Sequence, residues 1–246
     1  MNKNFINKYL HKIGVELHGI GYINKLKSTQ QNKNSFLAQQ DLLSKSANII
    51  FDIGANKGLT TTEYLKLFPS AQIHSFEPFA DFFQLWEEIT LRNKNVVFNP
   101  LGVSNKSGEV TFNINSNPDT NSILVSKKID ATSDNNCKTI NTSTIKVTTI
   151  DEYCAKNNIE SIDILKIDTQ GSELNVLTGM ENMLRNKKVK LIFTETYFQQ
   201  QYENQPLLYD IATFLSQFGY YMQDMYDPFY NDTFLLWCDT IFLPKS

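Results

Sequence analysis

The feature that most constrains this chain is a short apolar run that ends in an acidic residue and is followed by two closely spaced glycines. Residues 49–58 read Ile-Ile-Phe-Asp-Ile-Gly-Ala-Asn-Lys-Gly, and a helical pattern runs from Thr60 to Phe68. Gly54 and Gly58 allow a sharp turn and a close approach of the backbone to a ligand, which a Cβ atom would hinder. This order of strand, glycine-rich turn and helix predicts the first half of a nucleotide-binding βαβ unit.

The ligand class of this turn follows from the residues it has and those it lacks. Glu77 ends the next apolar segment 25 residues after Asp52, where an acidic side chain commonly accepts hydrogen bonds from ribose hydroxyls. The turn lacks the three glycines of a dinucleotide fingerprint and the Gly-Lys-Ser/Thr of a phosphate-binding loop. Its Asp-x-Gly-x-x-x-Gly pattern resembles that of class I S-adenosylmethionine-dependent methyltransferases, and Asp52 suits a cationic ligand better than a polyphosphate.

Apolar strands alternate with helical patterns from residue 47 onward, which is typical of a mostly parallel sheet. The candidate strands are Asn48–Asp52, Gln72–Glu77, Val96–Pro100, Ile162–Asp168, Lys190–Thr196, Tyr220–Met225 and Leu235–Leu243. The candidate helices are Thr60–Phe68, Ala80–Leu91, Ser172–Leu184 and Leu207–Phe218. We predict an α/β fold of the Rossmann-like class I methyltransferase type, with a mostly parallel seven-stranded sheet and helices on both faces.

Residues 104–150 interrupt this alternation. The Asn-Lys-Ser-Gly segment at 105–108 predicts a turn, and the alternating Val110, Phe112 and Ile114 predict a β-hairpin that replaces a crossover helix. Residues 115–144 are rich in Asn, Ser and Thr and predict a mobile loop. A long loop in an otherwise compact domain is more often a functional lid than a segment without a role, and simple disorder is the alternative interpretation.

The chain divides into an N-terminal helical appendage, residues 1–46, and a methyltransferase domain, residues 47–246. Apolar side chains at positions 5, 6, 9, 10 and 13 fall at helical spacing, and Phe36–Leu43 predicts a second short helix. We interpret the appendage as a cover for the sheet edge or for the mouth of the cofactor site, because amphipathic helices usually face a core. A dimerisation or substrate-gating element is the alternative.

Composition argues against several partners and compartments. The formal net charge is −3 and the arginines are Arg92 and Arg185, so we predict no nucleic-acid partner. We expect neither a signal peptide nor a membrane span, which predicts a cytoplasmic protein. Cys137, Cys154 and Cys238 share no metal-ligand spacing and are expected to be reduced thiols. An oligomer is compatible with this sequence, but no feature indicates one.

A second group of polar residues surrounds the strand that ends at Asp168. Lys166 lies two residues earlier, so both side chains point to the same face of the strand. Glu173 opens the following helix, and Glu195 ends the next strand. Ligands bind at the carboxyl ends of the strands in open α/β sheets. We therefore expect three strand-end carboxylates to converge on one cleft: Asp52, Glu77 and Asp168.

With these motifs in place, the chain resembles the FkbM family of S-adenosylmethionine-dependent O-methyltransferases over about residues 47–243. The matching segments are Phe-Asp-Ile-Gly-Ala-Asn-Lys-Gly (51–58), Phe-Glu-Pro (76–78), Asn-Pro-Leu-Gly-Val-Ser (99–104), Thr-Thr-Ile-Asp (148–151), Asp-Ile-Leu-Lys-Ile-Asp-Thr-Gln-Gly-Ser-Glu-Leu (163–174) and Tyr-Glu-Asn-Gln-Pro-Leu (202–207). The chain departs from the family at Thr169-Gln170, where many members carry a hydrophobic residue and Glu, so one carboxylate is missing.

The resemblance implies methyl transfer from S-adenosylmethionine to a hydroxyl of a sugar, a glycan or a natural product. The cofactor-binding residues that it implies are Asp52, Gly54, Ala55, Asn56, Gly58, Glu77, Pro78, Asn99, Leu101, Gly102 and Asp168. Among them, Glu77 would hold the ribose diol, and the segment from Asn99 to Gly102 would lie at the adenine edge.

The resemblance also implies a base, because an unactivated hydroxyl is a poor nucleophile. Asp168 is our candidate for that base, and Lys166 would orient it or stabilise the developing alkoxide. Glu195 is a third candidate catalytic residue. The candidate contacts to the acceptor are Glu173, Tyr197, Tyr202 and Asp239.

Several alternatives remain open at the level of sequence. Lys166 and Asp168 are also compatible with a structural ion pair, and Asp168, Glu195 and Asp239 with a divalent cation, although we predict no metal. His74, inside a strand, is expected to be a packed core residue. The alternative functions are a catalytically inactive cofactor-fold binding protein, which the Thr169-Gln170 departure permits, and a nicotinamide-dependent oxidoreductase, which the missing glycines argue against.

Overall fold

The computed structural model describes residues 34–127 and 138–245. The first half of the described chain forms α1 (Ser35–Leu42), β1 (Ile49–Ile53), α2 (Leu59–Leu67), β2 (Gln72–Phe76), a 3-10 turn (Ala80–Phe82), α3 (Phe83–Arg92), β3 (Val96–Asn99), β4 (Gly102–Val103), β5 (Gly108–Asn115) and a second 3-10 turn (Pro118–Thr120). The second half forms β6 (Thr139–Thr148), α4 (Ile150–Asn157), β7 (Ile162–Ile167), α5 (Glu173–Thr178), α6 (Glu181–Arg185), β8 (Val189–Tyr197), α7 (Leu208–Gln217), β9 (Tyr220–Asn231) and β10 (Phe234–Pro244).

The main sheet has seven strands in the order β3-β2-β1-β7-β8-β10-β9. The first five run parallel to one another, and β10 runs antiparallel to both β8 and β9. The strand order reverses at β1, so the carboxyl ends of β1, β2 and β7 lie side by side where a ligand binds in such sheets. The predicted α/β fold with a mostly parallel seven-stranded sheet is confirmed. Each strand ends within one residue of its predicted bounds except β9, which continues to Asn231.

The apolar core lies on both faces of this sheet, because successive side chains of a strand point to opposite faces. On β1, Phe51 belongs to one buried cluster and its neighbour Ile50 to another. Helices α4 to α7 contribute to the first cluster, and α1 to α3 contribute to the second. All six residues of β7 are buried, as expected for a central strand that is covered on both sides. The predicted helices on both faces are present.

The prediction of one helix over residues 172–184 is wrong, because the segment forms two short helices that meet at Gly179. A Cβ atom at Gly179 would lie 2.1 Å from the carbonyl oxygen of Ser104, so the backbone passes in direct contact with that residue. The carbonyl of Gly179 accepts from the N–H of Asp151 at 3.1 Å instead of serving a continuing helix. The break is therefore a tertiary contact that helical periodicity does not reveal.

A second sheet, with strand order β4-β6-β5, was not predicted. Strand β5 pairs antiparallel with β6, from Gly108 opposite Val147 to Asn115 opposite Thr139. The predicted hairpin is wrong about the strand that pairs with β5. The turn at 105–108 joins β4 to β5, but these two strands are not neighbours in the sheet, because β6 lies between them. The partner of β5 comes from a segment predicted to be loop.

The predicted loop over residues 115–144 is wrong for 139–144, whereas 116–127 forms a loop with one 3-10 turn. Residues 139–144 belong to β6, and asparagine side chains hold the chain between the strands. The Nδ2 of Asn113 donates to the carbonyl of Leu124 at 3.0 Å, and the N–H of Asn115 donates to Oδ1 of Asn121 at 2.8 Å. The asparagines whose abundance predicted a loop supply the side-chain hydrogen bonds that order this segment.

The crossover helix that the hairpin was predicted to replace is present as α4. Thr149 precedes this helix, and its Oγ1 accepts from the N–H of Glu152 at 3.1 Å. A Thr three residues before a Glu is a helix-start signal that the sequence contains, so this helix was predictable.

Helix α1 is the described part of the predicted N-terminal appendage. The ring of Phe36 contacts those of Tyr64 and Phe193, with centroids 5.4 and 5.9 Å away, so α1 packs on the main domain. The helical pattern at positions 5–13 lies outside the described residues, and the division at residue 47 stays a prediction. Among the described helices, none is both long and apolar enough to cross a membrane.

Candidate active site

The glycine turn after β1 has the backbone conformation that its sequence predicts. Gly54 and Gly58 have φ values of 75° and 79°, in the left-handed region that favours glycine. A Cβ atom at Gly54 would lie 1.8 Å from the carbonyl oxygen of Asp168, so this glycine also permits the close approach of β1 and β7. The N–H groups of Gly54 and Ala55 donate to the carbonyl of Phe76 at 3.0 and 2.9 Å, which joins the turn to the end of β2.

A cleft opens at the carboxyl ends of β1, β2 and β7, with an empty volume of about 650 Å³ when its open mouth is included. The predicted site residues that line it are Gly54, Asn56, Glu77, Pro78, Gly102 and Asp168. Two of the three strand-end carboxylates therefore meet in one cleft. The third, Asp52, is fully buried and lies outside its lining.

Asp52 lies behind the turn, in a buried ion pair with Lys166. The Nζ of Lys166 is 3.2 Å from Oδ1 of Asp52 and 3.6 Å from Oδ2 of Asp168, and it donates to the carbonyl of Gly54 at 3.0 Å. Oδ2 of Asp52 accepts from the hydroxyl of Thr61 at 2.7 Å. Burial by itself would lower the pKa of Lys166, but the two carboxylates outweigh it and hold this pKa well above its ordinary value. In this arrangement Lys166 is a fixed cation and Asp52 supports the turn from below.

Glu77 is buried at the rim of the cleft with its carboxylate held by backbone groups. Oε2 accepts from the N–H of Asn56 and Oε1 from the N–H of Phe79, each at 2.8 Å. Burial raises the pKa of Glu77 to about 7, although these two N–H groups act in the opposite direction. Each carboxylate oxygen has a second lone pair, so the group still has acceptor capacity for the hydroxyls of a ligand. Its predicted contact with a ribose stays a prediction.

Asp168 lies on the floor of the cleft with 37% of its side chain exposed. Its Oδ1 accepts from Nε2 of Gln170 at 2.9 Å, and the same Nε2 donates to Oε2 of Glu195 at 3.1 Å. Glu195 also accepts from the hydroxyl of Tyr197. Burial, and next the negative charge of Asp168, raise the pKa of Glu195 well above its ordinary value. The candidate base is thus the exposed member of a carboxylate pair that Gln170 bridges.

Glu173, a predicted acceptor contact, is fully buried and instead holds the loop after β7. Its Oε1 accepts from the N–H groups of Thr169 and Gly171, both at 3.0 Å, and from the Thr169 hydroxyl at 3.2 Å. Burial raises the pKa of Glu173 to about 7 against these hydrogen bonds. The structure assigns it a role in loop shape, in a position away from the lining of the cleft.

The remaining predicted acceptor contacts lie under the cleft. Tyr197 and Tyr202 are buried, with 3% and 1% of their surfaces exposed, and the hydroxyl of Tyr202 lies 3.0 Å from Oε1 of Gln170. Asp239 faces Glu195 across the β8–β10 ladder. Burial, with the charge of Asp168 as the next cause, raises the pKa of Asp239 to about 7. These three residues lie outside the lining of the cleft.

Besides Asp52, four predicted cofactor-binding residues lie outside the lining of the cleft: Ala55, Gly58, Asn99 and Leu101. Ala55 and Gly58 belong to the turn but face away from the cleft, with the Cβ position of Gly58 directed at Ile89 and Trp86. Asn99 and Leu101 instead line a separate surface depression. Their predicted contact with an adenine stays a prediction that this arrangement does not support.

The sequence analysis missed the cleft wall formed by the small sheet and by the segment between its strands β5 and β6. These lining residues include Phe112, Asp119, Asn121, Ile123, Ile145 and Val147. Asp119 accepts from Nζ of Lys57 at 2.8 Å and from Nδ2 of Asn56 at 3.1 Å, so this wall is attached to the glycine turn. The interpretation of residues 115–144 as a lid was the signal available, but composition does not indicate which residues face a ligand.

Two buried polar atoms of lining residues have no hydrogen-bond partner among residues 34–127 and 138–245: Oδ1 of Asn56 and Nδ2 of Asn121. Buried polar atoms without a partner are uncommon in folded proteins, so this acceptor and this donor fit a polar ligand in the cleft. Within the same described ranges, no group of three His, Cys, Asp or Glu side chains is placed to hold a metal ion.

Comparison with known proteins places this geometry among methyltransferases. The sequence model of the Methyltransferase FkbM domain matches residues 52–222. A 2-O-methyltransferase, NoeI, from Sinorhizobium fredii is 29% identical over 72% of this chain and 74% of its own length. A hexuronic acid methyltransferase, AglP, from Haloferax volcanii is 28% identical over 56% of this chain and 52% of its own length.

A solved structure supports the fold independently. The crystal structure of an FkbM methyltransferase from Methylobacillus flagellatus superposes with a TM-score of 0.53 at 15% identity. The match covers 81% of this chain and 44% of the other. At this identity the likeness concerns the fold, which agrees with the strand order described above.

Proposed function

Because the chain belongs to the FkbM methyltransferase family, we propose that it transfers a methyl group from S-adenosylmethionine to a hydroxyl oxygen of a sugar or glycan. The observation that carries this proposal is the cleft at the carboxyl ends of β1, β2 and β7, with Glu77 at its rim and the partly exposed Asp168 on its floor. A ligand with hydroxyls to be held and a hydroxyl to be deprotonated matches these two carboxylates.

The turn and the rim would hold the cofactor. Glu77 has free acceptor capacity for the two ribose hydroxyls, and the turn at Gly54 lines the cleft beside it. Oδ1 of Asn56 and Nδ2 of Asn121, which have no partner within the described part of the chain, would provide an acceptor and a donor from two lining residues. When bound, S-adenosylmethionine would supply the methyl group on a sulfonium that leaves as a neutral thioether.

Asp168 would act as the base. When the acceptor oxygen is methylated at the expense of the carbon–sulfur bond, its hydroxyl proton would pass to the Asp168 carboxylate. Lys166, 3.6 Å from that carboxylate, would hold it in place. Holding the three reacting atoms in line provides a large part of the rate, because the leaving group is already good.

The sugar acceptor is supported by the two curated relatives. One is named a 2-O-methyltransferase and the other a hexuronic acid methyltransferase. We propose a sugar hydroxyl as the acceptor class on this basis, and a hexuronic acid as the first compound to be tested.

The test separates cofactor from chemistry. Isothermal titration with S-adenosylmethionine should show a micromolar Kd, and titration with NADH should show no heat. Production of S-adenosylhomocysteine is then measured with glucuronic or galacturonic acid oligosaccharides as acceptors. Asp168→Asn should keep the affinity for S-adenosylmethionine and lower kcat roughly 100-fold or more, whereas the exposed control Asp41→Asn should change neither.

Two results would contradict the proposal. NADH binding without S-adenosylmethionine binding would favour the oxidoreductase alternative. Full turnover by Asp168→Asn would remove Asp168 as the base, even if the methyl transfer itself is observed.

A further inference from the structure

We propose that Gln170 is a positioning residue for methyl transfer. Its side-chain amide holds the carboxylate of Asp168 toward the cleft and places a hydrogen-bond donor between this carboxylate and that of Glu195. This inference rests on the function proposed above, in which Asp168 is the base. Gln170 is one of the two positions, with Thr169, at which the chain departs from the family resemblance, so the inference concerns what this chain does without a carboxylate at position 170.

The two ends of the Gln170 amide meet partners of opposite kind. Its Nε2 donates to Oδ1 of Asp168 at 2.9 Å and to Oε2 of Glu195 at 3.1 Å. Its Oε1 lies 3.0 Å from the hydroxyl of Tyr202 and 3.5 Å from that of Tyr197. Both NH hydrogens therefore go to carboxylate oxygens, which uses the complete donor capacity of the amide. Of the two hydroxyls near the carbonyl oxygen, that of Tyr197 already donates to Glu195, and that of Tyr202 also lies 2.9 Å from the carbonyl of Thr120.

The backbone of Gln170 is also held in place. Its φ is +53°, in the left-handed region, and its carbonyl accepts from Oγ of Ser122 at 2.7 Å. On either side, the N–H groups of Thr169 and Gly171 donate to the buried carboxylate of Glu173. A residue held on both sides in an unfavourable conformation delivers its side chain to one place, which is the requirement for positioning a second group.

A carboxylate at position 170 could not do the same. An ionised carboxylate has only acceptors, so it would face the oxygens of Asp168 and Glu195 without a donor between them. Three carboxylates would then share one partly buried site that Asp239 and Glu173 also face, with Lys166 3.6 Å from Asp168, and the added like charge would favour retention of protons. The neutral amide instead places a donor between Asp168 and Glu195 and adds no charge.

The matched pair of variants for the test is Gln170→Glu and Gln217→Glu. The first keeps the size of the side chain and replaces the donor with an acceptor, and the second makes the same change on an exposed helix face. For Gln170→Glu, the acidic limb of kcat/KM against pH should move up by about one pH unit or more, with turnover recovering at high pH. The control should reproduce the wild-type profile.

A loss of rate by the same factor at every pH, or an unchanged profile, would overturn the positioning role, since a purely structural defect has no reason to follow protonation. Gln170→Met serves as the second variant if Gln170→Glu does not fold. It removes the donor without adding charge, and kcat should fall roughly tenfold to a hundredfold with little change in the KM for S-adenosylmethionine. Equal losses in kcat and affinity would count against the inference.

Melting temperature against pH separates this inference from the proposed function, because it needs no acceptor. The new carboxylate of Gln170→Glu should have a raised folded-state pKa, so its destabilisation relative to the wild type should grow as pH rises from about 5 to about 8. A difference independent of pH would refute the network. A growing difference, with no methyl transfer by the wild type to any acceptor, would retain the network and refute the positioning of a base.

Discussion

Removal of the buried cation at Lys166 should destabilise the protein far more than removal of an exposed lysine. The side chain of Lys166 is 8% exposed and that of Asp52 is not exposed at all, and their charged atoms are 3.2 Å apart. Lys166→Met leaves the carboxylate of Asp52 in the core with the Thr61 hydroxyl but without its counter-charge. Breaking a buried pair in this way costs about 3–5 kcal/mol of the free energy of unfolding.

The assay is urea unfolding at neutral pH, followed by circular dichroism, together with thermal melting. For a chain of 246 residues, a loss of this size corresponds to a fall in Tm of about 6–20 °C. The matched control is Lys66→Met, which removes a lysine that is 62% exposed and lies 2.6 Å from Glu63. The control should change the free energy of unfolding by about 0–1 kcal/mol, because exposed pairs contribute little.

The double variant Asp52→Asn with Lys166→Met tests the cause. If the loss comes from an uncompensated charge, the neutral amide should restore at least about 1.5 kcal/mol relative to Lys166→Met alone. A cost below about 1 kcal/mol for Lys166→Met would refute the reasoning, because it would mean that water solvates this pair as it does an exposed one. No recovery in the double variant would refute it as well.

Three further predictions concern the turn, the wall of the cleft and the pH dependence of stability. Gly54→Ala should abolish S-adenosylmethionine binding in titration calorimetry and lower Tm, because its Cβ would lie 1.8 Å from the carbonyl oxygen of Asp168; wild-type binding would contradict this. Asp119→Ala should leave Tm nearly unchanged, since its pair with Lys57 is half exposed. The same variant should speed cofactor release several-fold in stopped-flow displacement, because Asp119 joins the cleft wall to the glycine turn. An unchanged release rate would refute this role of Asp119. Three carboxyls have a pKa that burial raises to about 7 in the folded protein, so the folded state keeps protons that the unfolded chain has lost above about pH 4.5. The three carboxyls are those of Glu77, Glu173 and Asp239, and their contribution to stability should be complete below that pH and be lost as pH rises toward 7. Urea unfolding measured across this range should show this loss, and a stability that rises with pH would contradict the assignment.

Much of the main sheet was predictable, because its signals are local. A buried strand reads as an apolar run, and a turn that needs a left-handed backbone needs glycine, as at Gly54 and Gly58. The helix α4 was predictable too and was missed, since Thr149 and Glu152 provide a capping pattern that is visible in the sequence.

Other features were beyond any local signal. The break at Gly179 lies where the backbone passes the carbonyl of Ser104, 75 residues earlier, which occupies the position that a Cβ atom would take. The small sheet exists because Gly108–Asn115 pairs with a strand from beyond residue 138, and asparagine side chains order the chain between them. The polar composition of this segment predicted a loop, but its residues from 139 onward form a strand because they pair with Gly108–Asn115, which lies far away in the sequence.

For the candidate site, the chemical groups at the carboxyl edge of the sheet could be read from the sequence. Glu77 and Asp168 directly follow the last residues of β2 and β7, so the two strands bring both carboxylates to that edge. Which groups line the cleft and which lie beneath it depends on the packing of distant segments. Burial and charge pairing depend on neighbours from distant segments, and these placed Asp52 with Lys166 under the turn and joined Asp168 to Glu195 through the amide of Gln170.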